Sequence, residues 1–283
     1  MLTQAAVDDV VTRALAEDAP WGDLTCEALV PEDARADAAL VAREPGTLAG
    51  VDVFARVMDL VGGVSTTVLV HDGDVFAAGD VIARVEGTAR SVLRAERVAL
   101  NLVQRMSGIA TLTAAHVAAV AGTRARIADT RKTTPGLRAL ERHAVRCGGG
   151  SNHRFSLSDA VMAKDNHLAV LAAAGVGLTE ALRAARARIP HTAHLEVEVD
   201  RLDQVEDVLA AGVDTIMLDN FSLPDLVAGV GQVAGRALVE ASGGISLETV
   251  AAVAATGVDV ISVGALTHAA RALDLGLDVT TRP

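Results

Sequence analysis

The sequence predicts an α/β protein in two parts: a β-rich N-terminal region, then parallel strands alternating with helices in an open or incomplete barrel. Three observations support this class. Short valine-rich segments separated by glycine-containing turns occupy residues 36–86. A helical pattern follows over residues 88–107. After Gly108, short apolar segments alternate with helical ones, which indicates βαβ units with right-handed crossovers.

The N-terminal elements follow from local signals. Thr3 is suited to cap a first amphipathic helix that runs to about Ala16. Residues 17–25 have the composition of a polar, turn-rich loop. Between residues 36 and 86, the turns EPG, VGG, HDGD and AGD separate predicted strands, so this region is expected to form a sheet of its own.

The predicted helix at residues 88–107 carries one continuous polar stripe. Its members recur at helical spacing; they are Arg90, Arg94, Arg97, Asn101 and Gln104. A solvated surface is the simplest interpretation of such a stripe. Amides mixed with arginines, without Glu or Lys, also suit a polar interface or a binding site.

Six parallel strands are predicted in the second part. They lie at residues 127–130, 160–165, 195–199, 215–219, 237–241 and 259–264. Six strands instead of eight leave the barrel open or incomplete, unless strands between Gly108 and Ile127 are missed. Polar residues or glycines cluster where the strands end, and a barrel of parallel strands brings those ends to the mouth where such enzymes keep their active sites.

Composition excludes several classes of function. The formal net charge is −11 and aromatic residues make up only 2%, which argues against nucleic-acid binding. Cys26 and Cys147 are too few and too far apart to predict a disulfide framework or a metal site, and two cysteines suit a reducing, cytoplasmic compartment. No signal peptide is evident, and the longest apolar run, residues 168–178, is too short to span a membrane.

Positive charge is concentrated in residues 129–167. This stretch has seven basic and four acidic residues, a net charge of +3 in an acidic protein, which favours an anion-binding site. It also contains both lysines of the chain, Lys132 and Lys164, among 25 basic residues. Lysine is a compact charge that changes its pKa readily, whereas arginine is a rigid fork, so the two lysines are candidates for a role that arginine cannot fill.

Carboxylates mark the ends of two neighbouring strands. Glu196 and Glu198 are two residues apart in one strand and therefore share a face. Asp219 ends the next strand. The group favours a Mg²⁺ site and a cluster that stabilises a developing cation. A structural ion-pair network with Lys164 and Arg131 is the alternative.

Small residues end the last two strands. Ser242, Gly243 and Gly244 follow one strand and precede a predicted helix that starts with Ser246, and Gly264 and Ala265 follow the next strand. Free backbone N–H groups at consecutive strand ends suit a phosphate site.

Histidine and cysteine add less specific signals. His153 and Arg154 follow the GGGSN loop and suit an acidic substrate, although a lone histidine is more often structural. His143, His167 and His194 are expected to be structural or capping residues. Cys147 is not expected to act as a nucleophile, because the sequence does not indicate His–Asp partners for it.

Taken together, these motifs resemble the quinolinate phosphoribosyltransferase family from residue 17 to the C-terminus. The resemblance rests on DTRKTTPGLRALERHAVRCGGGSNHR, AKDNH, LEVEVD, MLDN, EASGGI and VGALTHAARALD. It implies an N-terminal α/β sandwich domain at residues 1–107, joined by a C-terminal segment, residues 268–283. It also implies that the final helix packs back towards this domain. It also implies an open (β/α) barrel at residues 108–267.

The resemblance further implies a reaction. Quinolinate attacks C1 of phosphoribosyl pyrophosphate with Mg²⁺ present, and pyrophosphate and CO₂ leave to give nicotinate mononucleotide for NAD biosynthesis. It implies a homodimer, with a higher oligomer left open, in which Arg97 enters the partner's site. Substrate carboxylates would be bound by Arg97, Arg131, His153 and Arg154. Lys132 and Lys164 would line both substrates, Glu198 and Asp219 would face the ribose and Mg²⁺, and the Ser242–Gly244 and Gly264–Ala265 turns would hold the 5-phosphate.

Two other functions stay open at this stage. One is a related phosphoribosyltransferase that uses another pyridine or pyrimidine acid. The other is a Schiff-base aldolase on a phosphate-binding barrel, with Lys164 as the nucleophile. A non-catalytic metabolite-binding protein fits less well, because carboxylates and lysines that converge at one mouth are costly to maintain.

Overall fold

The computed structural model describes residues 2–282; Met1 and Pro283, the outer ends of the predicted N-terminal domain, lie outside this range. The chain divides into two compact units. Unit 1 comprises Met1–Ala114, Lys132–Gly149 and Leu266–Pro283, and unit 2 comprises Ala115–Arg131 and Gly150–Ala265. The charged stretch 129–167 is thus shared between the units, and the predicted domain boundary after residue 107 stays a prediction.

Secondary structure is assigned along the described chain as follows. The helices are α1 (Gln4–Asp18), α2 (Leu24–Leu29), α3 (Val51–Val61), α4 (Ala89–Ala119), α5 (Arg138–Cys147), α6 (Asp165–Ala173), α7 (Leu178–Arg188), α8 (Val205–Leu209), α9 (Leu223–Val233), α10 (Val250–Ala255) and α11 (Ala265–His268), with a 3₁₀ turn at Leu202–Gln204. The strands are β1 (Arg35–Ala42), β2 (Gly46–Thr47), β3 (Val64–Val68), β4 (Val75–Phe76), β5 (Val81–Thr88), β6 (Arg126–Ala128), β7 (Val161–Ala163), β8 (Leu195–Val199), β9 (Thr215–Asp219), β10 (Leu238–Ser242), β11 (Val260–Ser262) and β12 (Leu275–Arg282).

Unit 1 is built on an antiparallel sheet with the strand order β12-β1-β5-β3. Strand β1 alternates buried and less buried residues, as a half-covered strand should. The last segment of the chain is β12, paired antiparallel along the whole of β1. This segment therefore joins unit 1 as a strand that covers the edge of β1, and the last helix of the described residues, α11, precedes it.

Two short helices of unit 1 were not expected. Helix α2 lies in the predicted loop, with Asp23 accepting hydrogen bonds from the amides of Thr25 and Cys26. Helix α3 lies within the predicted β-rich region and buries Phe54 and Met58 among other residues. Its sequence, VDVFARVMDLV, is valine-rich, which suggested strands. Its buried positions recur at helical spacing, so periodicity would have predicted the helix.

The first and fourth helices were expected but end later than predicted. Thr3 caps α1 through a hydrogen bond from the amide of Ala6, which confirms the predicted start. Helix α4 continues past Gly108 to Ala119, so no strand lies between Gly108 and β6. A Cβ at Gly108 would lie 1.9 Å from the carbonyl oxygen of Arg271. This glycine permits a close backbone approach rather than ending the helix.

Unit 2 holds a six-stranded parallel sheet with the order β6-β11-β10-β9-β8-β7. All six predicted strands are confirmed, with ends shifted by at most two residues. Its mixed α/β composition and parallel sheet also confirm the predicted fold class. One face of the sheet is apolar and buried except at β7; it includes Val197, Ile216, Leu218 and Ile261.

Among the described residues, no single helix is long and apolar enough to cross a membrane; α6 and α7 meet that test only together, as a pair bent by 111°.

A buried ion pair joins three segments of unit 1. The carboxylate of Glu141 is fully buried and lies 2.9 Å from Nη2 of Arg105. Glu141 also accepts hydrogen bonds from the amide and hydroxyl of Thr134, while Arg105 donates to the carbonyl of Ala270. These contacts link α4, α5 and the chain before β12.

We expect Glu141→Ala to lower the free energy of unfolding by about 3–5 kcal/mol, because it leaves the Arg105 charge without its partner. The measurement is the midpoint of urea unfolding. Glu206→Ala, which removes an exposed ion pair with Arg236, is the matched control and should barely move the midpoint. Equal effects of the two substitutions would contradict this account.

Candidate active site

The register of the parallel sheet brings polar residues onto one face, opposite the apolar one. Residues paired across parallel strands point to the same side, and alternate residues in a strand share a side. Met217 of β9 pairs with Glu198 on one side and with Glu240 on the other. This polar face carries Met162, Glu196, Glu198, Thr215, Met217, Asp219, Glu240, Ser242 and Ser262.

His153 lies between two buried carboxylates of this face. Its Nε2 atom is 3.1 Å from Oε2 of Glu196 and 3.4 Å from Oε2 of Glu240. The two glutamates come from β8 and β10, which flank β9. Both side chains are almost fully buried, so a positively charged imidazole is the compensation that burial of two acids requires.

The cluster changes the proton affinities of its members. Burial lowers the pKa of His153, but the hydrogen bonds to Glu196 and Glu240 outweigh it and raise that pKa to about 10. Burial raises the pKa of Glu196, and the hydrogen bond from His153 offsets part of this effect. Nδ1 of His153 accepts a hydrogen bond from the amide of Arg154. Protonation of both ring nitrogens would break this hydrogen bond, which opposes the rise in the pKa of His153.

Asp129 holds the loop that carries His153. Its buried carboxylate accepts from the amide of His153 at 2.7 Å and from the side chain of Asn152 at 2.6 Å. Arg154 donates to the carbonyl of Ala160. Burial lowers the pKa of Arg154, and the neighbouring positive charge of Arg131 adds to this effect. Two arginines therefore lie side by side next to His153.

Lys164 and Glu198 form an ion pair at the ends of β7 and β8. The side chain of Lys164 is 45% exposed and that of Glu198 is 10% exposed. A solvent-accessible lysine is therefore paired with a largely buried carboxylate. Asp219 ends β9, and its carboxylate accepts a hydrogen bond from the side chain of Asn220 at 2.6 Å. The ion pair between Lys164 and Glu198 is a contact that the alternative interpretation, a structural ion-pair network, predicted.

Gly243 and Asn220 form a tight junction between β9 and β10. Asn220 has φ of 59° and donates its amide to the carbonyl of Ser242. Gly243 has φ of 96°, and a Cβ there would lie 2.2 Å from the side-chain oxygen of Asn220. Gly244 also has a positive φ, but nothing lies within 4 Å of its Cβ position. The junction fixes the position of Asn220, whose side chain donates a hydrogen bond to Asp219.

The turn after β10 differs from the expectation in one respect. The helix predicted from Ser246 begins only at Val250, and residues 247–249 form a turn. The backbone N–H groups near Gly243 and Gly244 therefore belong to a loop and not to a helix N-terminus. Gly264 and Ala265 follow β11 as expected, at the start of the short helix α11.

Two predicted site residues belong to unit 1. Arg97 lies on α4 with its side chain exposed, and Lys132 is exposed, with its carbonyl accepting from Thr267. At the two ends of the polar stripe, Arg90 and Gln104 donate to backbone carbonyls of unit 1. Arg94, Arg97 and Asn101 between them are exposed. All other predicted site residues lie in unit 2.

Several buried polar atoms of unit 2 have no hydrogen-bond partner within the described residues. They are Nε of Arg131, Oε1 of Glu196, Oε1 of Glu240 and Oγ of Ser262. Buried polar atoms are rarely left unpaired in proteins. Their concentration on the polar face and in the adjoining loop is what a site for a polar ligand requires.

A cavity of about 520 Å³ lies between α6, α7 and the segment after β8, and Glu198 of the polar face contributes to its lining. Five carboxylates and one arginine, Arg201, contribute to its lining. Such a wall repels a polyanion. The group formed by Arg131, Arg154 and Lys164 is the better match for an anionic ligand.

Sequence reasoning missed Glu240 and Asp129 as members of the site, and it noted Asn220 only as a polar residue at a strand end. Glu240 interrupts the apolar segment ALVEA, and a carboxylate in a buried strand needs a partner, so this signal was present in the sequence. Asp129 and Asn220 act through contacts with residues 24 and 23 positions away. No local pattern identifies those contacts.

The fold and this site define an α/β enzyme with its reactive groups at the carboxyl ends of parallel strands. Comparison with known proteins narrows the class. The chain belongs to the quinolinate phosphoribosyl transferase family: residues 23–107 match the family's N-terminal domain and residues 109–278 its C-terminal domain.

Individual relatives agree with this membership. The chain is 48% identical over 281 residues to the nicotinate-nucleotide pyrophosphorylase [carboxylating] of Mycobacterium leprae, covering 97% of each chain. It is 43% identical to the probable enzyme of the same name from Bacillus subtilis, covering 93% of this chain and 90% of that one. The crystal structure of NadC from Streptococcus pyogenes superposes with a TM-score of 0.94 at 43% identity, covering 100% and 99% of the two chains.

We expect Glu240→Gln to lower the pKa of His153, because one of the two charges facing Nε2 is lost. The measurement is the NMR titration of the His153 ring, assigned with His153→Gln. Because the folded-state pKa is raised from 6.5, protonated His153 contributes stability below pH 6.5 that is lost as pH rises towards about 10. In the variant that loss should be smaller and should be complete at a lower pH. The exposed Glu248→Gln is the control, and an unchanged His153 titration in Glu240→Gln would refute the assignment.

We expect Gly243→Ala to destabilise the protein more than Gly244→Ala. Both substitutions place alanine at positive φ, which costs about 1–3 kcal/mol, but only the first collides with Asn220. Thermal unfolding of the two variants makes the comparison. Equal melting temperatures would show that the Asn220 junction yields without cost.

Proposed function

We propose that this protein is a quinolinate phosphoribosyltransferase. It transfers the phosphoribosyl group of phosphoribosyl pyrophosphate to quinolinate and forms nicotinate mononucleotide, pyrophosphate and CO₂ for NAD biosynthesis. Family membership over nearly the whole chain supports this. The observation that carries it is the polar face of unit 2, where arginines and a lysine adjoin buried carboxylates at parallel strand ends.

Charge matching supports the choice of substrates. Quinolinate is a dicarboxylate, and arginine binds carboxylates through two parallel hydrogen bonds. Arg131 and Arg154 are the paired arginines of unit 2 and bind these carboxylates. The ring of His153 accepts a hydrogen bond from the amide of Arg154 and helps to position that residue. A direct contact between His153 and a substrate carboxylate remains a prediction.

The chemistry requires carboxylates beside the ribose. As the quinolinate nitrogen bonds to C1 and the bond from C1 to pyrophosphate breaks, positive charge develops on the ribose. Glu198 and Asp219, at adjacent strand ends, stabilise this charge. In the next step, CO₂ leaves the ring carbon next to the nitrogen, and that carbon takes up a proton. The Ser242–Gly244 and Gly264–Ala265 turns hold the 5-phosphate through backbone N–H groups.

Magnesium is part of this proposal. Mg²⁺ prefers oxygen ligands and binds through one or two carboxylates together with substrate phosphates. Glu198 and Asp219 supply such oxygens, and the partly exposed Asp219 is accessible to an ion. When bound, the ion neutralises charge on the leaving pyrophosphate.

The assembly and location are likewise proposed. The protein is a homodimer in which Arg97 enters the partner's site together with the polar stripe of α4, whose central residues are exposed. Lys132 contacts the substrates. Two free cysteines support a reducing, cytoplasmic compartment.

A substrate screen tests the function. Pyrophosphate release is followed with phosphoribosyl pyrophosphate, Mg²⁺ and, separately, quinolinate, nicotinate or orotate. Quinolinate alone should support turnover, with one CO₂ released for each pyrophosphate. Turnover with another acid only would favour a related phosphoribosyltransferase. Trapping of Lys164 by borohydride with a carbonyl substrate would favour the aldolase.

We expect Lys164→Ala to lower kcat/KM at least about 100-fold while leaving the melting curve near that of the wild type. The reason is loss of a solvent-accessible cation poised over a buried carboxylate. Lys164→Arg keeps the charge but not the compact ammonium, and should recover only a small part of the activity. Activity close to that of the wild type in Lys164→Ala would rule out a catalytic role.

We expect two inactive variants, Arg97→Ala and Lys164→Ala, to complement each other in mixed dimers. One site of a mixed dimer then contains both changes and the other neither. Random exchange gives about half mixed dimers, so about a quarter of wild-type activity should return. The chains are unfolded together, refolded and assayed beside each variant treated alone. If chains exchange and activity stays absent, Arg97 does not act in the partner's site.

A further inference from the structure

Three side chains of unit 1 converge outside the proposed active-site set. Asp72 lies in the loop between β3 and β4, and His143 and Cys147 lie on α5. Nε2 of His143 is 2.7 Å from Oδ2 of Asp72 and 3.4 Å from Sγ of Cys147, and that sulfur is 3.8 Å from the same carboxylate oxygen. One oxygen, one nitrogen and one sulfur thus face a common point.

The local structure prepares this arrangement. His143 and Cys147 are four residues apart on a helix, so their side chains share one face. Asp72 accepts the amide of Val51 at the start of α3 through Oδ1, which leaves Oδ2 directed at His143. Burial raises the pKa of Asp72, but the hydrogen bonds from His143 and the amides of Gly50 and Val51 outweigh it and lower that pKa. The carboxylate is therefore ionised and fixed.

The geometry does not suit a nucleophilic thiol. In a catalytic relay, the carboxylate and the nucleophile contact opposite nitrogens of the imidazole. Here the carboxylate and the thiol both face Nε2 of His143. Burial and the charge of Asp72 raise the pKa of Cys147 to about 12, so the sulfur is not an activated thiolate in the protein alone.

The distances suit a tetrahedral metal better. Zinc bonds of roughly 2.0–2.3 Å to oxygen, nitrogen and sulfur place neighbouring ligand atoms roughly 3.3–3.6 Å apart. The two separations that involve sulfur, 3.4 and 3.8 Å, are close to this range. The third, 2.7 Å, is a hydrogen bond that must open by roughly 0.6 Å once an ion replaces its proton.

We propose that Asp72, His143 and Cys147 form a Zn²⁺ site that ties α5 to the β3–β4 loop within unit 1. The mixed set of oxygen, nitrogen and sulfur donors selects zinc over Mg²⁺ or Ca²⁺, which require oxygen ligands. Binding releases the thiol proton of Cys147 to solvent, shifts the proton of the His143 ring from Nε2 to Nδ1, and leaves a fourth position for water. The positive charge of Arg146 lowers the pKa of Cys147 and so favours the thiolate, although it also repels a cation. Two cysteines alone predicted no metal site, because Asp72 is 71 residues from His143.

Metal titration of the full-length protein tests the site. Zn²⁺ binding is measured by competition with a chromophoric chelator, and Co²⁺ provides a thiolate-to-metal charge-transfer band that reports a sulfur ligand. The wild type should bind one Zn²⁺ per chain through this site, show the band and melt at a higher temperature with zinc. The cluster of His153, Glu196 and Glu240 contains no sulfur and cannot produce the band.

Variants decide between the possible ligands. Cys147→Ser should abolish the band and weaken zinc binding at least about tenfold, and His143→Gln should weaken binding to a similar extent. Cys26→Ser, which removes the other free thiol, should change neither. Absence of zinc binding and of the band in the wild type, or persistence of both in a folded Cys147→Ser, would overturn the proposal. Neither outcome bears on the transferase assay.

Discussion

Two carboxylates buried on one face of a parallel sheet set the conditions that unit 2 must meet. Glu196 and Glu240 are only 3–4% exposed, and leaving such acids without partners costs several kcal/mol. His153 lies between them and supplies the compensating charge. Asp129, itself buried, holds the backbone of His153 in place. These contacts of His153 thus fix the course of the loop before β7 and the position of Arg154.

The arrangement leaves polar capacity for a ligand. One oxygen of each glutamate, together with Nε of Arg131, is buried without a hydrogen-bond partner within residues 2–282. A structural ion-pair network would be expected to satisfy such atoms internally. Their concentration beside two arginines is better explained by a site that is completed by substrate. This is the physical basis for preferring catalysis to a purely structural role.

Unit 1 compensates its buried acids differently. Glu141 is fully buried against Arg105 and the hydroxyl of Thr134, so its lone pairs are used and it joins segments of the unit. Asp72 uses one oxygen on the backbone and directs the other at His143. The carboxylate oxygens of Glu141 all have partners, whereas Oδ2 of Asp72 lies beside the nitrogen of His143 and the sulfur of Cys147. That difference makes only the second arrangement suited to bind a metal ion.

The sequence by itself determined the α/β class, the six parallel strands, the cap of α1 and most of the residues now proposed for the site. These features depend on local periodicity, turn residues and strand ends, which one segment can specify. It failed for α3, whose valines suggested strands, and for β12, whose pairing with β1 is a contact between distant segments. Only the tertiary structure decided that β9 lies between β8 and β10. That order brings Glu240 close to Glu196, 44 residues away, with His153 in contact with both. Strand order and register depend on packing between segments far apart in the chain, and no local pattern in the sequence records them.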